Sequence, residues 1–184
     1  MRSWSLLSVL GATFLALSVG SAHAAPTKAQ PDLIAVGGGY FDMFENIHRK
    51  EAADFRLEYR FGKSLLANWT EPYFAIRPFI GGEGMHTGSV YGVAGIIFDV
   101  PLGERIVFSP SFAPGLYYTG RGKRIGSFIE FRSQAEVGYR FENESRLTVA
   151  LSHISNGGLS PANHGAEILS VYYQVPVSIL GLTP

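Results

Sequence analysis

The feature that most constrains this chain is an alternation of apolar and polar residues, repeated in segment after segment. In residues 129–141, IEFRSQAEVGYRF, Ile129, Phe131, Ala135, Val137, Tyr139 and Phe141 alternate with Glu130, Arg132, Gln134, Glu136 and Arg140. In residues 55–61, FRLEYRF, Phe55, Leu57, Tyr59 and Phe61 alternate with Arg56, Glu58 and Arg60. A period of two sends successive side chains to opposite faces of a strand, giving each segment an oily and a charged face. Eight such segments run at approximately 32–41, 53–62, 72–83, 89–100, 105–118, 127–141, 145–155 and 166–179. At about nine to fifteen residues they are long for soluble strands but suit strands tilted across a bilayer. Several end in aromatics, such as Tyr40 and Phe41, Tyr117 and Tyr118, or Tyr139 and Phe141, as interfacial girdles do.

Alternation alone does not say which face is outside. A soluble barrel turns its apolar face inward, whereas a membrane barrel turns it to lipid and keeps a polar interior. Here the polar faces carry charges of both signs, as a neutral internal salt-bridge network would. Eight strands make a barrel narrow enough for its own side chains to fill. Closure also satisfies every backbone group and leaves no open edge in lipid. The expected fold is therefore all-β, an eight-stranded antiparallel transmembrane β-barrel of the outer membrane. A soluble, lipocalin-like ligand-binding barrel is the alternative.

The N-terminus reads as an export signal. Arg2 precedes an apolar stretch, LLSVLGATFLALSV, and SAHA before Ala25 has the small-x-small form of a cleavage site. The expectation is a signal peptide at 1–24 and one barrel domain at 25–184, of a size that suits one domain. Losing Arg2 leaves 14 basic against 15 acidic residues, a net charge of −1. With no clustered basic footprint, a nucleic-acid partner is not expected. The chain has no cysteine, so neither disulfides nor thiolate metal sites are expected. No carboxylate cluster suggests a metal, and no cofactor is expected. Nothing in the sequence indicates an oligomer.

The connections alternate in character. The first, third, fifth and seventh are DMFENIHRKEAA, GEGMHTGS, TGRGKRIG and NGGLSPANHGA; the second, fourth and sixth are GKSLLANWTE, PLGE and ENES. Longer loops on one side are expected to face the cell exterior. GKSLLANWTE is long for a periplasmic turn and fits that rule badly.

One region breaks the apolar pattern. Leu147, Val149, Leu151, His153 and Ser155 share one face of the seventh segment, and Glu167, Leu169, Val171, Tyr173 and Val175 share one face of the eighth. His153, Ser155 and Glu167 thus sit on faces that would look at lipid, where polar groups are costly without a purpose. His153 lies eight residues beyond Ser145, roughly 27 Å along a strand at 3.4 Å per residue. A tilt near 40° reduces this to about 20 Å of height, against an apolar band of about 25 Å. The three are expected near the outer rim of the band, facing the lipopolysaccharide leaflet. A serine nucleophile, a histidine base and an acidic orienter form an acyl-transfer triad. The glycine-rich loop beside Asn156 and Asn163 offers backbone N–H groups for an oxyanion. The same residues also read as ordinary polar positions at a strand end, followed by an ordinary turn.

The stretch SHISNGGLSPANHGAEILSVYYQVP resembles the signature of the lipid A 3-O-deacylase (PagL) family of outer-membrane enzymes. The resemblance covers about 25 residues: His-x-Ser-Asn, a glycine-rich loop with Pro and Asn, and Glu fourteen residues after the histidine. It implies a serine esterase that removes the 3-hydroxyacyl chain from position 3 of lipid A. It also implies Ser155 as nucleophile, His153 as general base and Glu167 as orienter. Asn163 and the Gly158 N–H would form the oxyanion hole, with Asn156 as a supporting polar residue. The substrate partner would be lipid A of lipopolysaccharide, with outer-membrane lipid around the barrel. The chain ends SILGLTP, without the terminal aromatic typical of such barrels. The competing class is a non-catalytic outer-membrane barrel, an adhesin or structural protein.

Other residues carry weaker readings. Arg121, Lys123 and Arg124 cluster in one expected external loop, where they would either pair with lipid A phosphates or solubilise the loop. His48 and His86 read as surface histidines, and His164 as loop polarity. Gly37, Gly38 and Gly39 permit a bend or close packing. Trp69 suits an interfacial anchor.

Overall fold

The computed structural model describes residues 30–43, 52–70 and 73–182. The expected signal peptide at 1–24, the boundary at residue 25, and His48 lie outside the described residues.

The alternating segments become nine strands: β1 (Leu33–Phe41), β2 (Ala52–Arg60), β3 (Ala75–Met85), β4 (Val90–Pro101), β5 (Ile106–Phe108), β6 (Ser111–Tyr118), β7 (Ile129–Arg140), β8 (Arg146–Ser155) and β9 (Ala166–Pro176). β5 and β6 are two halves of one stave, so the wall has eight staves. Every stave pairs antiparallel with its neighbour in sequence. β9 returns to β1, with Leu33 opposite Pro176 and Phe41 opposite Ile168, which closes the barrel and leaves no edge. The break between β5 and β6 falls at Ser109 and Pro110, because proline has no N–H for the ladder. The seam holds nonetheless: the Phe98 N–H donates to the Pro110 carbonyl at 2.9 Å, and the Ser109 N–H to that of Glu136 at 2.7 Å.

Parity settles the faces. Along β8, Arg146, Thr148, Ala150, Ser152 and Ile154 are buried, whereas Leu147, Val149, Leu151 and His153 are exposed. The same division runs round the wall, with Phe55, Leu57, Ile80, Phe112, Leu116 and Val171 among the outward apolar residues. A barrel that is oily outside and charged inside is inverted relative to a soluble one. Only a bilayer removes that outer surface from water, so this is a transmembrane barrel.

Among the described residues, five buried arginines form an ionic centre with Asp54, Glu58, Glu83, Asp99 and Glu136, and Glu130 is buried besides. Arg132 bridges Glu58, at 2.6 Å, and Glu83. Arg60 joins Glu58 and Glu136, each at 2.8 Å. Arg56 contacts Asp54, and Glu83 at 3.4 Å. Asp99 takes Arg77 at 2.8 Å and Arg146 at 2.9 Å. The Arg60 guanidinium also lies 5.2 Å from the centre of the Tyr172 ring. Pairing and further hydrogen bonds make this burial of charge tolerable. Gly37 serves the same centre: a Cβ there would stand 2.7 Å from the Tyr172 ring, so glycine lets the ring lie against the wall.

The interior is not polar throughout. Phe41, Met85, Tyr91, Tyr117, Ile125, Ile154 and Ile168 form an apolar stopper at the end that carries the β8–β9 loop. Period two reports which way a residue points, not how deep it lies, so the stopper was hidden in the inward set. Three other features depart from expectation. The third connection is a four-residue turn, because β3 runs to Met85 and β4 starts at Val90. The last strand ends at Pro176 instead of 179, and Val177–Leu180 forms a 3-10 turn closed by Gly181 at φ 71°. The long second connection folds back on itself through a short helix, α1 (Ala67–Thr70), and a Leu65–Ile76 bridge. Trp69 stands on that helix, 85% exposed.

The inverted polarity has a measurable consequence. Val149 lies mid-wall, facing out between Val137 and Val171. Val149→Arg is expected to cost about 2–4 kcal/mol in reversible urea unfolding from bilayer vesicles, the range for a cation on the lipid face. On a water-facing wall the same change would fall within about 0.5 kcal/mol.

Candidate active site on the outer wall

The β8–β9 register places His153 directly opposite Glu167, above the outward pairs Leu151–Leu169 and Val149–Val171. Directly opposed side chains on one face can touch, and these do. His153 Nδ1 lies 3.1 Å from Glu167 Oε1, with the two side chains 49% and 36% exposed. Glu167 as acceptor requires a proton on Nδ1, so in the neutral imidazole the lone pair lies on Nε2. Ser155 is the last residue of β8, two positions beyond His153 on the same side, and faces Phe131 of β7. Its hydroxyl makes no hydrogen bond among the described residues. The structure therefore forms the His–Glu pair and sets the serine beside it, without closing the third contact.

The loop after β8 is held from within. Asn156 is fully buried. Its N–H donates to Asn163 Oδ1 at 3.0 Å, its Nδ2 to the Ala162 carbonyl at 2.7 Å, and its Oδ1 accepts from the Gly158 N–H at 2.9 Å. Gly157 and Gly158, at φ 62° and 87°, make the left-handed turn that glycine accommodates. Of the two expected oxyanion donors, the Gly158 N–H is thus occupied by Asn156. The Asn163 oxygen is fixed, which leaves its Nδ2 hydrogens uncommitted among the described residues.

The β6–β7 loop braces this turn from the side. The His164 N–H donates to the Ile125 carbonyl at 3.0 Å. Gly126 lies so close to Ala162 that a Cβ would stand 2.0 Å from its carbonyl oxygen. The cations of this loop separate. Arg121 and Arg124 are exposed, but Lys123 corrects the expectation of an external cluster: it is buried, with Nζ 2.7 Å from Asp42 Oδ1. Its partner is 81 residues away in sequence, a pairing that spacing cannot reveal. His86 also has a structural partner, accepting the Ala53 N–H on Nδ1 at 2.9 Å.

Three further residues adjoin the site. Ser133 lies opposite His153 on the β7 side, and Phe131 opposite Ser155. The Phe131 ring stacks on Phe112 at 5.9 Å, giving an aromatic strip beside the serine. Parity in 129–141 carried the signal for both. Gly165 packs on His153: a Cβ there would stand 3.1 Å from the imidazole Cε1, and its φ is 64°. A glycine before a strand gives no such cue.

The fold and site together define a class: a transmembrane β-barrel with a histidine–carboxylate pair and a free serine set into its lipid-facing wall. The chain belongs to the lipid A 3-O-deacylase (PagL) family, whose sequence model matches residues 53–176. It is similar to the lipid A deacylase PagL of Bordetella bronchiseptica, 24% identical over 174 residues, covering 90% of this chain and 93% of that one. The lipid A deacylase PagL of Pseudomonas aeruginosa is 33% identical over 55 residues, covering 30% of this chain and 32% of that one. A crystal structure of the outer membrane enzyme PagL superposes with a TM-score of 0.61 at 19% identity, over 78% of this chain and 99% of that one. A structure of designed transmembrane β-barrels superposes at 0.54 with 11% identity, over 82% of this chain and 98% of that one. The two structural likenesses concern the fold.

Proposed function

We propose that the protein is an outer-membrane serine esterase that removes the 3-hydroxyacyl chain esterified at position 3 of lipid A. The observation that carries this reading is the 3.1 Å His153–Glu167 pair on the lipid-facing wall, with Ser155 two residues on. Family membership supports the substrate class. The position of the cleaved ester, the triad and the outward-leaflet orientation belong to the proposal.

Ser155 Oγ attacks the ester carbonyl while His153 Nε2 takes its proton. Glu167 holds the imidazole by Nδ1–H and stabilises the imidazolium that forms. The tetrahedral oxyanion receives the Asn163 Nδ2–H, and the Gly158 N–H once that donor turns from Asn156 Oδ1. The intermediate collapses, the acyl–oxygen bond breaks, and the sugar oxygen leaves with the proton from His153. Water then enters from the loop side, loses a proton to His153 and cleaves the acyl-enzyme. The products are a 3-hydroxy fatty acid and a sugar hydroxyl. A wall site gives the ester access without drawing its chain out of the bilayer, and Phe131 and Phe112 supply an apolar surface beside it.

The test is mass spectrometry of lipid A incubated with the purified protein in detergent. Loss of one 3-hydroxyacyl chain from position 3 is expected. Unchanged lipid A would refute the reading and favour a non-catalytic barrel; loss from another position would refute the assigned ester.

Gly165 gives a finer check. Gly165→Ala is expected to push the His153 ring aside and to lower kcat by about 10- to 100-fold, the scale of a small misplacement of a catalytic group. Steady-state rates and thermal unfolding together check it: a fall in kcat that merely followed loss of folded protein would assign Gly165 to the fold alone.

A further inference from the structure

A groove of about 530 Å³ lies between the β6–β7 and β8–β9 loops. The proposed reaction leaves it without a role. Tyr118, Arg124, Phe128 and His164 are among the residues that line it. We infer that this groove seats a phosphorylated sugar of the lipid substrate, with Arg124 as the phosphate ligand. The inference rests on the deacylase reading and deepens it.

Position comes first. His164 precedes Gly165, which packs on the His153 ring, and Phe128 precedes β7, whose Phe131 faces Ser155. The groove therefore lies on the loop side of the serine, one residue along the chain from Gly165 and three from Phe131. An amphiphile with its ester at Ser155 and its chains along Phe131 and Phe112 must place its headgroup beyond them, towards this loop pair.

Charge comes second. No carboxylate is among the described residues that line the groove. The Arg124 guanidinium has no partner among the described residues. The half-buried arginines Arg105 and Arg140, by contrast, pair with Glu142 at 3.0 Å and Glu144 at 3.7 Å. Arg121 has no partner either, but it stands outside the groove. A guanidinium offers a planar fork of donors that matches a phosphate. His164 adds a second polar ring, while the exposed Tyr118 and Phe128 offer flat surfaces to the C–H faces of a sugar.

The loop is also fixed before any ligand arrives. Lys123, the neighbour of Arg124, is pulled inward to Asp42 at 2.7 Å. The Tyr117 hydroxyl donates to the Lys123 carbonyl at 2.8 Å, and Ser89 Oγ to that of Thr119 at 2.5 Å. One basic residue thus anchors the segment while the next is presented outward from it. A lysine drawn into the barrel end and an arginine held over the groove are one device, not a solvated charge run.

The experiment compares lipid A carrying its sugar phosphates with chemically dephosphorylated lipid A. Arg124→Gln is expected to raise KM on the phosphorylated lipid about tenfold, with kcat little changed, and to leave KM on the dephosphorylated lipid unaltered. Arg124→Lys should recover part of the loss, because charge remains but the fork does not. Arg121→Gln serves as the control and should leave both substrates unchanged. Binding of the two lipids to Ser155→Ala protein, with and without Arg124→Gln, reads the groove without turnover. Failure of the groove and failure of the deacylase reading are thereby separated. Equal loss on both lipids would mean that Arg124 only supports the fold; no loss on either would mean that it is merely solvated. Either result overturns the inference.

Discussion

Ser155→Ala is expected to give a barrel that folds like the parent and releases no measurable acyl chain, with kcat lower on the order of 10³-fold or more. Two observations set the sides of that expectation. The Ser155 hydroxyl has no hydrogen bond to lose, and the residue is half-exposed at the end of β8. Its removal should therefore change stability by no more than about 0.5 kcal/mol. Activity is different, because in the proposed mechanism no acyl-enzyme forms without Oγ and the His153–Glu167 pair has nothing to activate. Lipid A mass spectra report the reaction, and urea unfolding from vesicles reports the fold. A variant that still strips the chain at the parental rate would remove Ser155 from the mechanism. Glu167→Ala should lower kcat less, since the imidazole survives but loses the acceptor that fixes its tautomer. Comparable losses in the two variants with intact folding would mean that the three act as one unit.

Much of this was open to inspection in the sequence, for a physical reason. In a bilayer the outer face of a strand is mostly apolar, so parity can be read along each stave. His153, Ser155 and Glu167 stand out because they break that pattern, and the β8–β9 register then places His153 opposite Glu167. What stayed hidden involves depth, local backbone or distant partners. Ile154 and Ile168 point inward like Arg132 and Glu136, yet belong to an apolar stopper instead of the ionic centre. Lys123 looks like a surface cation until the fold brings Asp42 to it. Asn156 reads as a catalytic accessory in the motif, and the structure makes it the hub of its loop, holding the Gly158 N–H. Pro110 was a visible cue to the broken fifth stave, since proline is excluded from the interior of a regular ladder.

The second large effect is expected at the centre of the barrel, away from the chemistry. In lipid the outer wall gains nothing by leaving water for a neighbour, so specificity must come from packing and polar pairing. Arg132 carries a large share of that pairing. It is fully buried between Glu58 and Glu83, on the inward side of β7, with its guanidinium 5.3 Å from the centre of the Phe79 ring. Arg132→Met keeps most of the stem's volume and removes the cation. Glu58 retains Arg60, but Glu83 is left with Arg56 at 3.4 Å, a residue already committed to Asp54. An uncompensated buried carboxylate should cost about 3–5 kcal/mol in urea unfolding from vesicles. Adding Glu83→Gln should return at least about 1 kcal/mol of it, because the orphaned charge goes with its partner. That recovery separates charge balance from shape: a loss due only to poor fit of the methionine would persist in the double variant. Folded Arg132→Met protein should deacylate at close to the parental rate per molecule, since Arg132 points inward and the proposed machinery outward. A cost below about 1 kcal/mol would mean that the ionic centre fills space without specifying the fold.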